Sequence, residues 1–182
     1  RRESNRTLKD DTLSQTLRQL GTAGGADYMD YLGEMPKRYF QDGNFEGVYA
    51  VSGASMAESI LVSQKACHAC VIACGREVQL PGEPNAQKGP EYETIMGFGP
   101  NLLIDDLAFA TRMGARCDRL GVDTISLSNT LGLAFTLYER GLITTRDTGE
   151  VALPWGDQDA VERLVDQACR LEGFGATLLQ GA

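Results

Sequence analysis

The sequence predicts an all-α fold, an irregular multi-helix domain with glycine-rich loops and little strand. Three observations carry this expectation. Apolar residues recur at three- and four-residue spacing in segment after segment. Glycine repeatedly follows the last periodic residue, where a helix needs a left-handed stop. Only TTRDTGEVALPWG, around residues 144–156, reads as a turn with one short strand pair. There is no internal repeat and no low-complexity tract.

In chain order, DDTLSQTLRQLG carries Leu13, Leu17 and Leu20, with Gly21 as its stop. GGADYMDYLGEMPKRYF is a short helix followed by Pro36 and a turn. In SGASMAESILVSQ, Ser55 and Glu58 form a capping box, which predicts a helix starting at Met56 and running toward the cysteines. PGEPNAQKGPEYE is a loop, because its three prolines remove donors and fix φ. DDLAFATRMGARCDRLG places Leu107, Ala110, Met113, Cys117 and Leu120 on one stripe, between an aspartate cap and Gly121. DTISLSNTLGLAFTLYERG is a further helix, ending at Gly141. DQDAVERLVDQACRLEG is amphipathic, with Asp157 as its cap and Gly173 as its stop.

The bulk properties narrow the function classes. The 182 residues suffice for one domain with a real core, here taken as a single helical domain over 1–182. A net charge of -8 argues against a nucleic-acid or anionic-membrane partner, since phosphate binding needs clustered cations. No apolar run approaches the roughly 20 residues of a membrane span, and no signal-peptide pattern opens the chain. The start, RRESNRTLKDD, lacks a methionine and suggests a fragment or a processed chain. Five cysteines, three of them clustered, do not suit a disulfide framework. A cytoplasmic location follows as the expectation, and the sequon at Asn5 is then a chance match.

CHACVIACG, from Cys67 to Gly75, holds three cysteines spaced C-x2-C-x3-C. Iron–sulfur clusters are held by thiolates, and this spacing brings Cys67, Cys70 and Cys74 to one centre if the third lies a helical turn on. A cluster with every iron ligated needs a fourth thiolate. Cys117 and Cys169 are the only candidates here, and both lie on apolar helix faces, where cysteine is commonly a small buried hydrophobe. Three alternatives stay open. A zinc site would use the same thiolates with His68, which directly follows Cys67 in an awkward arrangement for one tetrahedral centre. A redox pair would open a helix after a strand, and no strand is evident. Three structural cysteines are the remaining reading.

CHACVIACGREV, KGPEYETIMGFGPNLLIDDL, CDRLGVDTISLSNTLGLAFTLYERGLI and WGDQDAVERLVDQ occur in this order, after GTAGGADYMDYLGEMPKRYF and FEGVYAVSGASMAES. Together they resemble the aldehyde ferredoxin oxidoreductase family of tungsten–pterin enzymes, over nearly the whole chain from about Gly21. The resemblance implies the middle, helical portion of such an enzyme. The N-terminal pterin-binding domain and the last helical domain are then expected to lie outside this chain.

The resemblance also implies roles for residues. Cys67, Cys70 and Cys74 match three ligands of a [4Fe-4S] cluster, with the fourth ligand in the last domain. Asp118 to Asp123 match a D-x-x-G-L-D motif whose two carboxylates, with the backbone near Val122, hold one pterin. The chemistry suits this, because a pterin edge presents N–H donors and a carboxylate accepts two at once. The same residues also read as a helix end followed by an N-cap aspartate. Glu91 and Glu93 match the segment that carries a glutamate near the metal, the register favouring Glu93. A buried carboxylate of raised pKa suits proton relay there. The implied activity is oxidation of an aldehyde to a carboxylate at tungsten or molybdenum bis-pterin, with electrons passed to ferredoxin or a similar carrier. Reduction of aromatic acyl thioesters or acids on the same scaffold is the alternative, and a stand-alone iron–sulfur or zinc module a third. Three departures stand out. Val122 replaces a leucine. Arg112 stands where some relatives place a glutamate that helps bridge subunits through a metal, so that metal is not expected. PKRYF replaces a more usual PTRNF.

Overall fold

The computed structural model describes residues 2–181. The first segment folds as α1 (Arg2–Asp10) and α2 (Thr12–Leu20), then a 3-10 turn at Thr22–Gly25 and α3 (Ala26–Tyr31). A second 3-10 turn (Glu46–Val51) leads to α4 (Gly53–Ser59) and a small sheet of β1 (Leu61–Lys65), β2 (Gly75–Val78) and β3 (Gln87–Lys88). The helices α5 (Tyr92–Phe98), α6 (Leu107–Leu120), α7 (Thr124–Glu139), α8 (Gln158–Arg170) and α9 (Gly173–Leu178) complete the chain. The fold is mostly helical, as the periodicity predicts.

The long helices begin where side chains replace missing backbone acceptors. Asp106, Asp123 and Asp157 each accept the backbone N–H three residues on, at 2.8, 2.7 and 3.1 Å. Gly121, in the left-handed region, ends α6 as expected. Asp157→Ala should cost about 1 kcal/mol of stability, the usual worth of such a cap. Urea unfolding of the two proteins measures it, and an unchanged midpoint would contradict the assignment.

Two apolar clusters form the interior. One joins α6, α7, α8 and α9 through Phe109, Met113, Leu131, Phe135, Val161 and Leu164. The other joins α4, β2 and α5 through Val51, Met56, Val78, Ile95 and Met96. Helix α5 faces both, since Phe98 belongs to the first cluster and Ile95 and Met96 to the second. Glu91 and Glu93 therefore sit at the start of the helix that links the two halves of the interior.

Four expectations need correction. Helix α4 starts at Gly53, not Met56, and its cap is Ser52, whose hydroxyl accepts from Ser55 N–H at 3.1 Å. The cause is tertiary: a Cβ on Gly53 would lie 2.6 Å from the backbone of Ala23 and Gly24, so only glycine admits this close approach. The residues after α4 do not continue as helix but form β1, antiparallel to β2. In β2 the inward residues Arg76 and Val78 alternate with half-exposed ones, the period of a strand. TTRDTGEVALPWG contains no strand, and runs as turns. Finally, α8 stops at Leu171 in a left-handed conformation, and Gly173 begins α9 instead of ending α8.

Candidate functional site

The three clustered cysteines sit on the loop that connects β1 to β2. Pairing of Lys65 with Gly75 closes the base of this hairpin. The expected helical turn between Cys70 and Cys74 is absent, because Ala69 and Ala73 both take positive φ and bend the chain tightly. A strand does precede the C-x2-C pair, contrary to expectation, but no helix follows it, so the arrangement is not that of a redox pair. Cys70 N–H donates to Cys67 C=O at 3.0 Å. Cys67 and Cys70 are exposed and Cys74 is half-buried. The backbone N–H groups of Ala73 and then Ile72 point at the Cys70 sulfur and hold its thiol below the ordinary range. His68 is exposed on the same loop.

Among the described residues, no three His, Cys, Asp or Glu side chains converge closely enough to hold a metal ion. The thiols are thus carried together without being drawn together. Their chemistry fits an iron–sulfur group: three sulfur donors on one accessible loop, one already solvated by backbone N–H groups. Metal binding itself is what gathers such a loop. The other two cysteines differ. Cys117 is buried in the α6–α8 interface, and burial pushes its thiol up to about 12. Cys169 lies beside it, half-buried, and burial raises its thiol too. Both are packing residues.

A cleft of about 400 Å³ opens beside the loop, lined by Cys67, Arg76, Lys88 and Glu91 among others. Glu91 is half-buried and fixed: Thr22 Oγ1 donates to its carboxylate at 2.7 Å and accepts Tyr92 N–H at 2.8 Å. Glu93, two residues on, is exposed in the first turn of α5. Glu91, not Glu93, lines the cleft with Cys67.

Asp118 and Asp123 flank the end of α6. Asp118 pairs with Lys88 at 2.8 Å and lines a small cavity shared with Glu91. Asp123 lines a separate groove of about 480 Å³ with Gly121, Val122 and Ser126. The two carboxylates do not line one cavity. Val122 N–H is already used, donating to Cys117 C=O at 3.0 Å. Asp123 accepts the Ser126 N–H at 2.7 Å as the cap of α7. The groove has the volume of a small-molecule site, and Asp123, Ser126 and Thr130 are the oxygen-bearing side chains of a mostly apolar lining.

The cap makes a pH prediction. Ser126 N–H holds the Asp123 carboxyl below its ordinary value of 3.8. A pKa depressed by folding adds stability above the unfolded value, and that stability is lost as pH falls through the folded pKa. The destabilisation caused by Asp123→Ala should therefore be present near neutral pH and fade below pH 3.8. Urea melts of both proteins at the two pH values check this, and a gap that persists in acid would contradict it.

Sequence reasoning missed Thr22, Lys88 and Arg76, which surround the same cleft or fix its walls. Only Arg76 left a signal, since the alternation in GREV places it inward with Val78. PKRYF forms a strained turn, with Arg38, Tyr39 and Phe40 all at positive φ. Arg38 pairs with Glu139 and stacks 5.7 Å from the Trp155 ring centre. No helix among the described residues is long and apolar enough to cross a membrane.

Comparison with known proteins agrees with the earlier resemblance. The sequence model of the family described as aldehyde ferredoxin oxidoreductase, domains 2 and 3, matches residues 1–182. The tungsten-containing aldehyde ferredoxin oxidoreductase of Pyrococcus furiosus is 36% identical over 100% of this chain and 30% of that protein. The protein of the same name from Thermococcus kodakarensis is 34% identical with the same coverage. The WOR-like subunit of an aliphatic sulfonate oxidoreductase of Pyrococcus furiosus is 33% identical over 63% of this chain and 19% of that protein. The chain thus spans about 30% of the length of the first two relatives. Among solved structures, the active site complex BamBC of benzoyl coenzyme A reductase superposes with a TM-score of 0.63 over 84% of this chain and 23% of that chain, at 20% identity. This last likeness is one of fold.

Proposed function

The chain belongs to the aldehyde ferredoxin oxidoreductase family, and on that premise we propose that it is the helical middle portion of a tungsten–pterin enzyme that oxidises aldehydes to carboxylic acids. The observation that carries the reading is the exposed hairpin loop with Cys67, Cys70 and Cys74, opening onto a cleft with a fixed carboxylate, Glu91.

Cys67, Cys70 and Cys74 hold a [4Fe-4S] cluster as thiolates, and the fourth ligand comes from elsewhere in the polypeptide. Asp123, with the chain at Val122, accepts N–H donors of a pterin on the groove side. Asp118, paired with Lys88 on the neighbouring cavity, is the second carboxylate that the family resemblance assigns to the pterin. A bound tungsten–pterin would supply a two-electron acceptor, and a cluster on Cys67, Cys70 and Cys74 would supply single-electron transfer. The overall change is aldehyde plus water to carboxylic acid, two protons and two electrons. Glu91, oriented by Thr22 and lining the cleft, is the carboxylate that takes up protons released there, while Glu93, exposed in the first turn of α5, is the second acid that the resemblance gives. Ferredoxin or a similar carrier receives the electrons. A cytoplasmic location suits five free thiols.

The test uses the full-length polypeptide. It should contain iron together with tungsten or molybdenum, and reduce a viologen dye with aldehydes as donors. An aliphatic sulfonate is offered as a competing donor, and an aryl thioester as an acceptor with the reduced dye as its electron source, and a clear preference for either overturns the aldehyde assignment. Zinc as the sole metal in folded protein overturns the whole reading.

A further inference from the structure

Arg76 is only 3% exposed, an uncommon fate for a guanidinium. Arg76 lies on the inward face of β2 with Val78, two residues after Cys74. Its Nη1 donates to the carbonyl oxygens of Ala73 at 3.1 Å and Gly75 at 2.7 Å, and its Nη2 to that of Leu17 at 2.6 Å. The first two carbonyls flank Cys74 along the chain, and the third belongs to the last turn of α2. Nε is buried without a hydrogen-bond partner. Among the described residues no carboxylate lies within ion-pair distance of this side chain.

All three acceptors are neutral, so the positive charge is left uncompensated inside the protein. A buried, unpaired charge is costly, and arginine does not escape by losing its proton. Glu91, which lines the same cleft, is the carboxylate that acts on it, from beyond ion-pair distance. A Cβ on Gly21 would lie 3.1 Å from Cys74 C=O and 3.3 Å from Arg76 Nε, so the end of α2 presses on both. The site therefore holds a fixed cation on the inner side of the cysteine loop, without an ion-pair partner, where an anionic group carried by that loop would face it.

We propose that Arg76 is a positioning residue of the thiolate site, locking the Cys74 end of the loop and stabilising the reduced, more negative form of the iron–sulfur group held there. The inference rests on Cys67, Cys70 and Cys74 being iron ligands. Gain of one electron adds one negative charge to the group. A cation held in a poorly screened setting favours that form over the oxidised one, and so raises the reduction potential. The carbonyl bonds keep the guanidinium in place, which a flexible lysine on the surface would not achieve.

The experiment compares wild-type full-length protein with Arg76→Met and Arg76→Lys, measuring iron content and the potential of the iron–sulfur signal by redox titration. Arg76→Met is expected to keep its iron and to show a tenfold lower ratio of reduced to oxidised cluster at fixed potential, a shift of about 59 mV for a one-electron couple. Arg76→Lys is expected to recover most of that shift. If Arg76→Met does not fold, Arg76→Gln, which keeps donors without the charge, replaces it with the same expectation. An unchanged potential in the neutral variant overturns the proposal. So does an equal shift in Arg76→Lys, or a failure of both neutral variants to fold or to hold iron, since each outcome leaves Arg76 a structural anchor alone. Wild-type protein without iron would instead defeat the ligand reading itself, before any variant is compared.

Discussion

Cys70→Ser in the full-length protein is expected to strip the iron and bleach its visible absorption, while the helical fold persists. Cys70 is the cysteine that the backbone prepares most, because the N–H groups of Ala73 and Ile72 already favour its thiolate. A serine hydroxyl is a harder donor that ionises poorly near neutral pH, and iron–sulfur centres select soft thiolates. Loss of an outer-shell partner alone costs roughly 10–100-fold in metal affinity, and loss of a ligand should cost no less. The side chain is exposed, so the change creates no cavity. Cys117→Ser is the matched control. It places a hydroxyl in the α6–α8 interface, where burial already pushes the thiol up to about 12, and should cost about 1–3 kcal/mol of stability with iron content unchanged. Elemental iron and a urea melt separate the two effects. Iron retained at full stoichiometry in Cys70→Ser would sink the ligand assignment.

Replacing Asp118 and Asp123 together by alanine should lower pterin occupancy of the full-length protein by more than tenfold and leave iron near normal. A hydrogen bond to a charged group is worth about 1.5–3 kcal/mol, so losing one or two such bonds reaches that factor. The structure makes the single variants informative. Asp118 gives up only an exposed pair with Lys88, worth little on its own. Asp123 also caps α7, so alanine there perturbs the helix as well as the groove. Asp123→Asn separates the roles, because asparagine caps as well as aspartate but carries no charge. Pterin lost in Asp123→Asn at unchanged stability assigns the carboxylate to the ligand. Pterin content unchanged in the double variant removes the argument for both residues.

Much of this protein is legible in order along the chain. The caps at Asp106, Asp123 and Asp157, the left-handed stop at Gly121 and the apolar stripe of α6 are local devices, set by residues within one turn of each other. The spacing of Cys67, Cys70 and Cys74 is likewise a local fact, and it already names the chemistry of the donors. Other features are set by distant neighbours. ILVSQK has no strong breaker, and it becomes β1 only because GREV lies antiparallel to it. Gly53 opens α4 against the backbone of Ala23 and Gly24, where a Cβ would not fit. The choice of Glu91 over Glu93 as the cleft carboxylate depends on Thr22, far back in the chain.

Residue type and spacing alone therefore determined that this chain is mostly helical and that three thiols crowd one short stretch. The packing of α2 and α5 against the hairpin decided which acid lines the cleft, that Arg76 is buried beside the thiols, and that Asp118 and Asp123 open onto different cavities. The reason is reach. Caps, stops and donor spacing act over a few bonds, whereas burial and electrostatic pairing depend on surfaces that meet only after the chain has folded.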